Sequence, residues 1–240
     1  MDQNMIPAAV LGFGIALALM YLVLRKYTYP AVKEPFFSDP AFFKLFTVGL
    51  IAGTGIFIAY TFFNGAWGSI FVALMFALVS ELAKLIVLNL RRFHGKSDSL
   101  FYGFGLGIGA GCTFSFGFIF YASSSVDELG MGDASLWIFF ALYALHTVLI
   151  HTATGLTIGE GIAKRRPFEF LLQALIISVA YQLLISQLWS GYDGALLYAF
   201  IVLPLLLAAG YFYHTVYVRL PGVIREVLRQ EGRSRKDIPR

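Results

Sequence analysis

The chain has 240 residues, 58% of them apolar and 13% charged, with a formal net charge of +4; an ordinary soluble domain carries roughly 25% charged residues. One soluble core of this size cannot hide so much apolar surface, whereas a bilayer can. The single Cys112 excludes an intrachain disulfide framework, and its place inside an apolar run excludes a thiol metal cluster.

Seven apolar runs are long enough to cross a hydrocarbon core of about 30 Å at about 1.5 Å per residue. The first, near 6–24, lacks a basic leader and a small-residue cleavage site, which predicts a retained span and not a signal peptide. The second and third lie near 45–63 and 68–90, the fourth near 99–122, the fifth near 136–159, the sixth near 168–189 and the seventh near 195–217. Unpaired backbone groups are not tolerated in lipid, so each run is expected to be helical. The fold class is therefore all-α: residues 1–219 form a single seven-helix transmembrane domain, followed by a basic tail at 220–240. Within that tail, Val223 and Val227 alternate with Arg225 and Arg229 at helical spacing, so it reads either as a helix lying on the membrane surface or as a short solvated one.

Basic residues alternate from loop to loop. Arg25, Lys26, Lys33 and Lys44 follow the first span, Arg91, Arg92 and Lys96 the third, and Lys164, Arg165 and Arg166 the fifth; the remainder follow the seventh. Loops 64–67, 123–135 and 190–194 contain no Lys or Arg, and only Lys84 lies inside a span. The positive-inside rule then puts the N-terminus outside and the C-terminus in the cytosol, with the plasma membrane as the expected location. Trp67, Trp137 and Trp189 fall at the expected outer boundaries, where indole rings favour the headgroup layer. Because the cations are apportioned among loops on one side, topology accounts for the positive charge better than nucleic-acid binding does.

Ionisable residues at membrane depth are costly, about 2.5–3.5 kcal/mol each for the charged types, and normally face partners inside a bundle. Here they are Glu81 and Lys84 in the third span and His146 and His151 in the fifth. Glu81 and Lys84 are three residues apart and share a helix face. Glu81 and His151 lie at similar heights, about 12–14 Å from the basic end of their spans, where the sixth span offers Ser178, Tyr181 and Gln182. A polar cluster of Glu81, Lys84, His151, Ser178 and Tyr181 is expected. His146 is turned roughly 140° from His151, which suggests a separate packing residue. The cluster supports three readings: ligands of a water-activating metal, a proton or substrate site of a small-solute transporter, or a hydrogen-bonded cross-link. A transporter would call for broken helices, and Pro204 in the seventh span is the one hint of a break.

The fourth span has glycine at every second position from Gly103 to Gly111. Gly103, Gly107 and Gly111 form a tandem GxxxG face and Gly105 and Gly109 a second, which predicts close helix approach.

Ser80-Glu81-x-x-Lys84, the tandem-glycine span, Leu149-Ile-His151-Thr-x-x-Gly155 and the triplet Lys164-Arg165-Arg166 follow one another in order. This order resembles the Aph (anterior-pharynx-defective) subunit of gamma-secretase and the wider superfamily of PrsW-type and CAAX-type intramembrane proteases. The resemblance covers roughly residues 68–190. It implies a seven-span bundle in which Glu81 matches the second residue of a paired catalytic Glu motif and His151 the fifth-span His. Ser80 replaces the first Glu, and a hydroxyl of ordinary pKa cannot replace a carboxylate as general base. The sixth-span His has no counterpart. By resemblance the chain is a catalytically degenerate scaffold or stabilising subunit for a membrane-protein partner, without cofactor, holding that partner through glycine-lined faces. The alternative is an active zinc protease using Glu81 and His151.

Overall fold

The computed structural model describes residues 4–63, 66–125, 134–191 and 194–239. Asp127, Glu128 and Asp133 of the expected outer loop lie outside the described residues. Among those described the chain is helical without strands: α1 (Met5–Leu24), α2 (Asp39–Thr61), α3 (Ile70–Leu88), α4 (Ser99–Ser125), α5 (Ala134–Ala163), α6 (Pro167–Ser186), α7 (Gly194–Tyr213) and α8 (Leu220–Gln230), with 3-10 turns at Arg91–Phe93 and Gln187–Trp189 and a π-helical turn at His214–Arg219. Seven of these helices are long and apolar enough to cross a membrane. Seven such helices are compatible with a multi-pass membrane protein.

Local sequence sets the starts. At α2, Ser38 is extended, Asp39 opens the helix and Pro40 sits in its first turn, where a missing N–H costs nothing and an acid complements the helix dipole. This pair starts α2 six residues before the apolar run at 45, so Lys44 lies within the helix. Pro167 and Glu169 start α6 in the same way. Between α5 and α6 the chain turns through Arg165 at φ 59°, and the N–H of Arg166 returns to the Gly161 carbonyl at 2.8 Å, a closure typical of helix ends with a left-handed residue.

At the centre stands α4, with 83% of its most apolar stretch buried. Its glycines serve two neighbours. A Cβ on Gly103 would strike the Gly155 carbonyl, and one on Gly107 would strike the His151 carbonyl and come within 2.9 Å of Thr152 Cα. At Gly111 it would lie 2.9 Å from Val148 Cα. All three contacts are with α5, which returns the fit through Gly155 and Gly159. On the opposite face Gly105 meets the Phe42 ring and Gly109 meets backbone of Phe46 and Leu50 in α2, where Gly49 and Gly53 reciprocate. Lipid gives helices no hydrophobic reason to associate, so this backbone-to-backbone approach is where packing energy accumulates. Both glycine faces are consumed inside the chain. The expectation that they hold a partner protein is corrected accordingly.

The second layer is built on the far side of α5, which also packs on α6 and α7, while α3 leaves α2 and packs chiefly on α6. Helix α7 passes through Pro204 without interruption, so the hint of a break that a transporter would call for is not realised there; the irregularity is the π-turn that follows. At the turn between α2 and α3, Trp67 is covered by protein. It is buried, stacks on Tyr60 at 4.9 Å, donates its indole N–H to the Tyr60 carbonyl at 3.0 Å, and packs on Trp189 at 4.8 Å.

The segments rich in Lys and Arg converge on one end of the bundle. Gly95 N–H donates to Ile162 O at 3.1 Å, the Arg235 guanidinium to Glu34 O at 2.6 Å, and Ser97 N–H to Glu231 Oε1 at 2.7 Å. Across this end lies α8. Its apolar face, Leu220, Val223, Ile224, Val227 and Leu228, is buried within the protein core. The apolar face of α8 is thus spent on the protein itself, and not on a membrane surface or solvent.

Candidate functional site

Three helices bring polar side chains together at mid-bundle. On α3 the spacing of Ser80, Glu81 and Lys84 places all three on the buried side. Lys84 Nζ lies 2.7 Å from Glu81 Oε1 and donates a second hydrogen bond, also 2.7 Å, to Thr154 Oγ1 of α5. Thr154 accepts this bond while its own hydroxyl donates to the Ile150 carbonyl at 3.0 Å. From α6 the Ser178 hydroxyl donates to the same Glu81 oxygen at 2.5 Å. Glu81 and Lys84 are 1% and 3% exposed, so the pair is dry. Oε1 accepts both bonds, and Oε2 is buried without a partner.

His151 sits beside this cluster and is joined to it differently from the expectation. Its Nδ1 faces the Ser80 hydroxyl at 3.4 Å, and its ring packs 5.9 Å from Phe114. The hydrogen bonds of Glu81 go to Lys84 and Ser178, and His151 pairs with the residue one position earlier on α3. Tyr181 is not part of the cluster at all. Its hydroxyl lies 2.8 Å from His146 Nδ1 and 3.1 Å from Thr147 Oγ1, forming a second buried polar group between α5 and α6. His146 is therefore a hydrogen-bonded cross-link, and the sequence-based grouping of Tyr181 with Glu81 is corrected.

A metal fits this donor set poorly. One carboxylate and one imidazole face α3, α5 and α6, but the accepting carboxylate oxygen already holds an ammonium group at 2.7 Å. A divalent ion at that oxygen would meet a positive charge in a dry environment, where repulsion is little screened. Among the described residues no group of three or more His, Cys, Asp and Glu side chains is placed to hold a metal ion. As the side chains stand, Glu81, Lys84, Thr154 and Ser178 form a hydrogen-bonded cross-link of α3, α5 and α6.

A third polar centre was missed by sequence reasoning. Glu160, 4% exposed near the end of α5, receives Arg219 in a forked contact: Nε to Oε2 at 3.0 Å and Nη2 to Oε1 at 3.3 Å. Arg219 also donates to Gln173 Oε1 of α6 at 3.2 Å. Lys164 joins Glu160 at 3.1 Å to Glu226 of α8 at 2.8 Å. The π-turn at His214–Arg219 adds residues to the turn and so re-aims Arg219 inward. The available signal was Glu160 itself, a lone carboxylate between two glycines at the end of an otherwise uncharged run.

Two charge-assisted bonds to one buried carboxylate make Arg219 the pivot that seats α8. Replacing Arg219 by Ala is expected to destabilise the protein by roughly 1.5–3 kcal/mol, the range for hydrogen bonds to charged groups. Limited proteolysis should then cut within α8 under conditions where the parent protein resists. An unchanged digestion pattern would show that the apolar face alone holds the helix.

Comparison of the chain with protein-family models, with curated proteins and with solved structures returned no match.

Proposed function

We propose that this chain is a non-catalytic, multi-pass subunit of the plasma membrane, with an outside N-terminus and a cytosolic C-terminus, that stabilises a partner membrane protein. The observation that carries the reading is the commitment of Glu81. The carboxylate that an intramembrane metalloprotease would need free to activate water is instead neutralised by Lys84 at 2.7 Å and capped by Ser178 at 2.5 Å. A general base must reach the proton it abstracts; Oε1 is already doubly occupied, which leaves only the buried Oε2 for that role. The resemblance to the Aph subunit and to PrsW-type proteins supplies the scaffold role, with Ser80 and the missing sixth-span His on the non-catalytic side. A partner would use the outward helix faces, since the glycines of α4 are engaged internally. There Gly14, Gly55 and Gly210 have no neighbouring atoms within 4 Å of an added Cβ.

One feature favours the second reading, an active protease: Glu81 Oε2 is buried and unpartnered, as an oxygen awaiting water or metal would be. The two readings part on purified protein. The scaffold reading expects no stoichiometric divalent metal in protein prepared without chelator or histidine tag, no cleavage of membrane peptides, and a membrane protein recovered by cross-linking and mild-detergent purification. Stoichiometric zinc with cleavage abolished by Glu81→Gln would replace it with the protease reading.

A further inference from the structure

At the basic end of the bundle, a cavity of about 200 Å³ opens between the first turns of α2, the 3-10 turn after α3, and the start of α4. Three cations, Lys44, Arg92 and Lys96, share its lining with Ala41, Leu45 and Phe93. All three cations are exposed, and none takes part in an ion pair among the described residues. The Arg92 guanidinium lies 4.6 Å from the centre of the Phe93 ring, which holds it over the cavity wall. Asp98 also lines the cavity but does not balance three positive charges. Its Oδ2 accepts the Tyr102 hydroxyl at 3.1 Å and Lys96 acts electrostatically on its carboxyl, so one carboxylate faces three cations and the lining stays net positive.

The position of Lys44 decides what kind of anion belongs here. It lies on a helix long and apolar enough to span the bilayer, just inside the starting end, and its neighbour Phe43 is 52% exposed. Leu90, next to the 3-10 turn, is 47% exposed. The cavity therefore meets an apolar, outward-facing belt on one side and carries concentrated positive charge at headgroup level on the other. A lysine there extends its ammonium toward the interface along an apolar stem.

From this arrangement we infer that Lys44, Arg92 and Lys96 form a binding site for the phosphate headgroup of an anionic phospholipid, with the acyl chains lying along α2 and α3. Basic pockets beside membrane helices attract anionic headgroups, and each cation near the surface contributes about 1 kcal/mol to that attraction. The site does not depend on the scaffold reading, because it uses none of the mid-bundle cluster.

Native mass spectrometry of the full chain, titrated in detergent with phosphatidylglycerol or phosphatidylcholine, tests the site. Phosphatidylglycerol should bind at least about tenfold more tightly, and the difference should disappear in Lys44→Gln/Arg92→Gln/Lys96→Gln. It should persist in Arg225→Gln/Arg229→Gln, which removes two cations from the exposed side of α8 at the same end. Should the triple variant not fold, Lys44→Gln alone carries the test, with a loss of about fivefold expected. Equal binding of the two lipids would overturn the inference, as would unchanged phosphatidylglycerol binding in the cavity variants. Displacement of the lipid by millimolar inorganic phosphate would assign the cations to a soluble anion and overturn the lipid assignment.

Discussion

Replacing Gly107 by leucine is expected to disrupt the bundle itself, with a loss at or above the roughly 1–3 kcal/mol usual for overpacking. A Cβ at this position would already strike the His151 carbonyl and approach Thr152 Cα to 2.9 Å, and neither is the flexible end of a side chain. Only separation of α4 from α5 would relieve the clash, and that would forfeit the matching contacts at Gly103, Gly155 and Gly159. Gly14→Leu and Gly210→Leu are the controls, since nothing lies within 4 Å of an added Cβ at either. Both should stay within about 0.5 kcal/mol of the parent. Thermal unfolding in detergent, followed by intrinsic fluorescence, distinguishes the three. A Gly107→Leu protein with parental stability would mean that α4 and α5 do not meet as described.

The second large effect is expected in the Glu81–Lys84 pair. Glu81→Leu alone leaves the Lys84 ammonium buried against a single threonine, and Lys84→Met alone leaves a buried carboxylate with only Ser178. Each single change should cost roughly 3–5 kcal/mol, the usual result of orphaning one member of a buried ion pair. Changing both together should bring the protein back to within a few kcal/mol of the parent or beyond it, because well-packed apolar residues often substitute for a buried pair without loss. The double-mutant cycle isolates this coupling. Simply additive single costs would show that the two side chains do not neutralise each other.

How much of this was legible in the sequence depends on which coordinate is asked for. Hydropathy reports position along the membrane normal, so the seven spans and the depth of Glu81, Lys84 and His151 could be read directly. It reports nothing about rotation around the bundle. Tyr181 lies near the height of Glu81, yet it faces His146, because the azimuth of α6 is set by packing between helices remote in sequence. The same limit hid the pairing of His151 with Ser80 in place of Glu81. For the glycines of α4 the two faces follow from helical period alone, but that α5 and α2 cover them could be learned only from the fold. Glu160 was missed for another reason. At the end of an apolar run a carboxylate reads as interfacial, and its partner Arg219 is re-aimed by a π-turn that no residue pattern announces.

The pairing of Glu81 with a residue three positions away has a consequence for how the protein is made. Helix α3 emerges from the ribosome long before α6, and Ser178 is separated from Glu81 by 97 residues of chain. Thr154, the other partner of Lys84, follows that lysine by 70 residues. During that interval α3 must enter the bilayer with neither companion in place, and a lone carboxylate at its centre would oppose insertion. Because the counter-charge sits one turn away on the same helix, α3 brings its own neutralising partner across the translocon. The charge of Glu81 can thus be compensated within α3 before any tertiary contact exists, and Ser178 and Thr154 join a pair that is already formed.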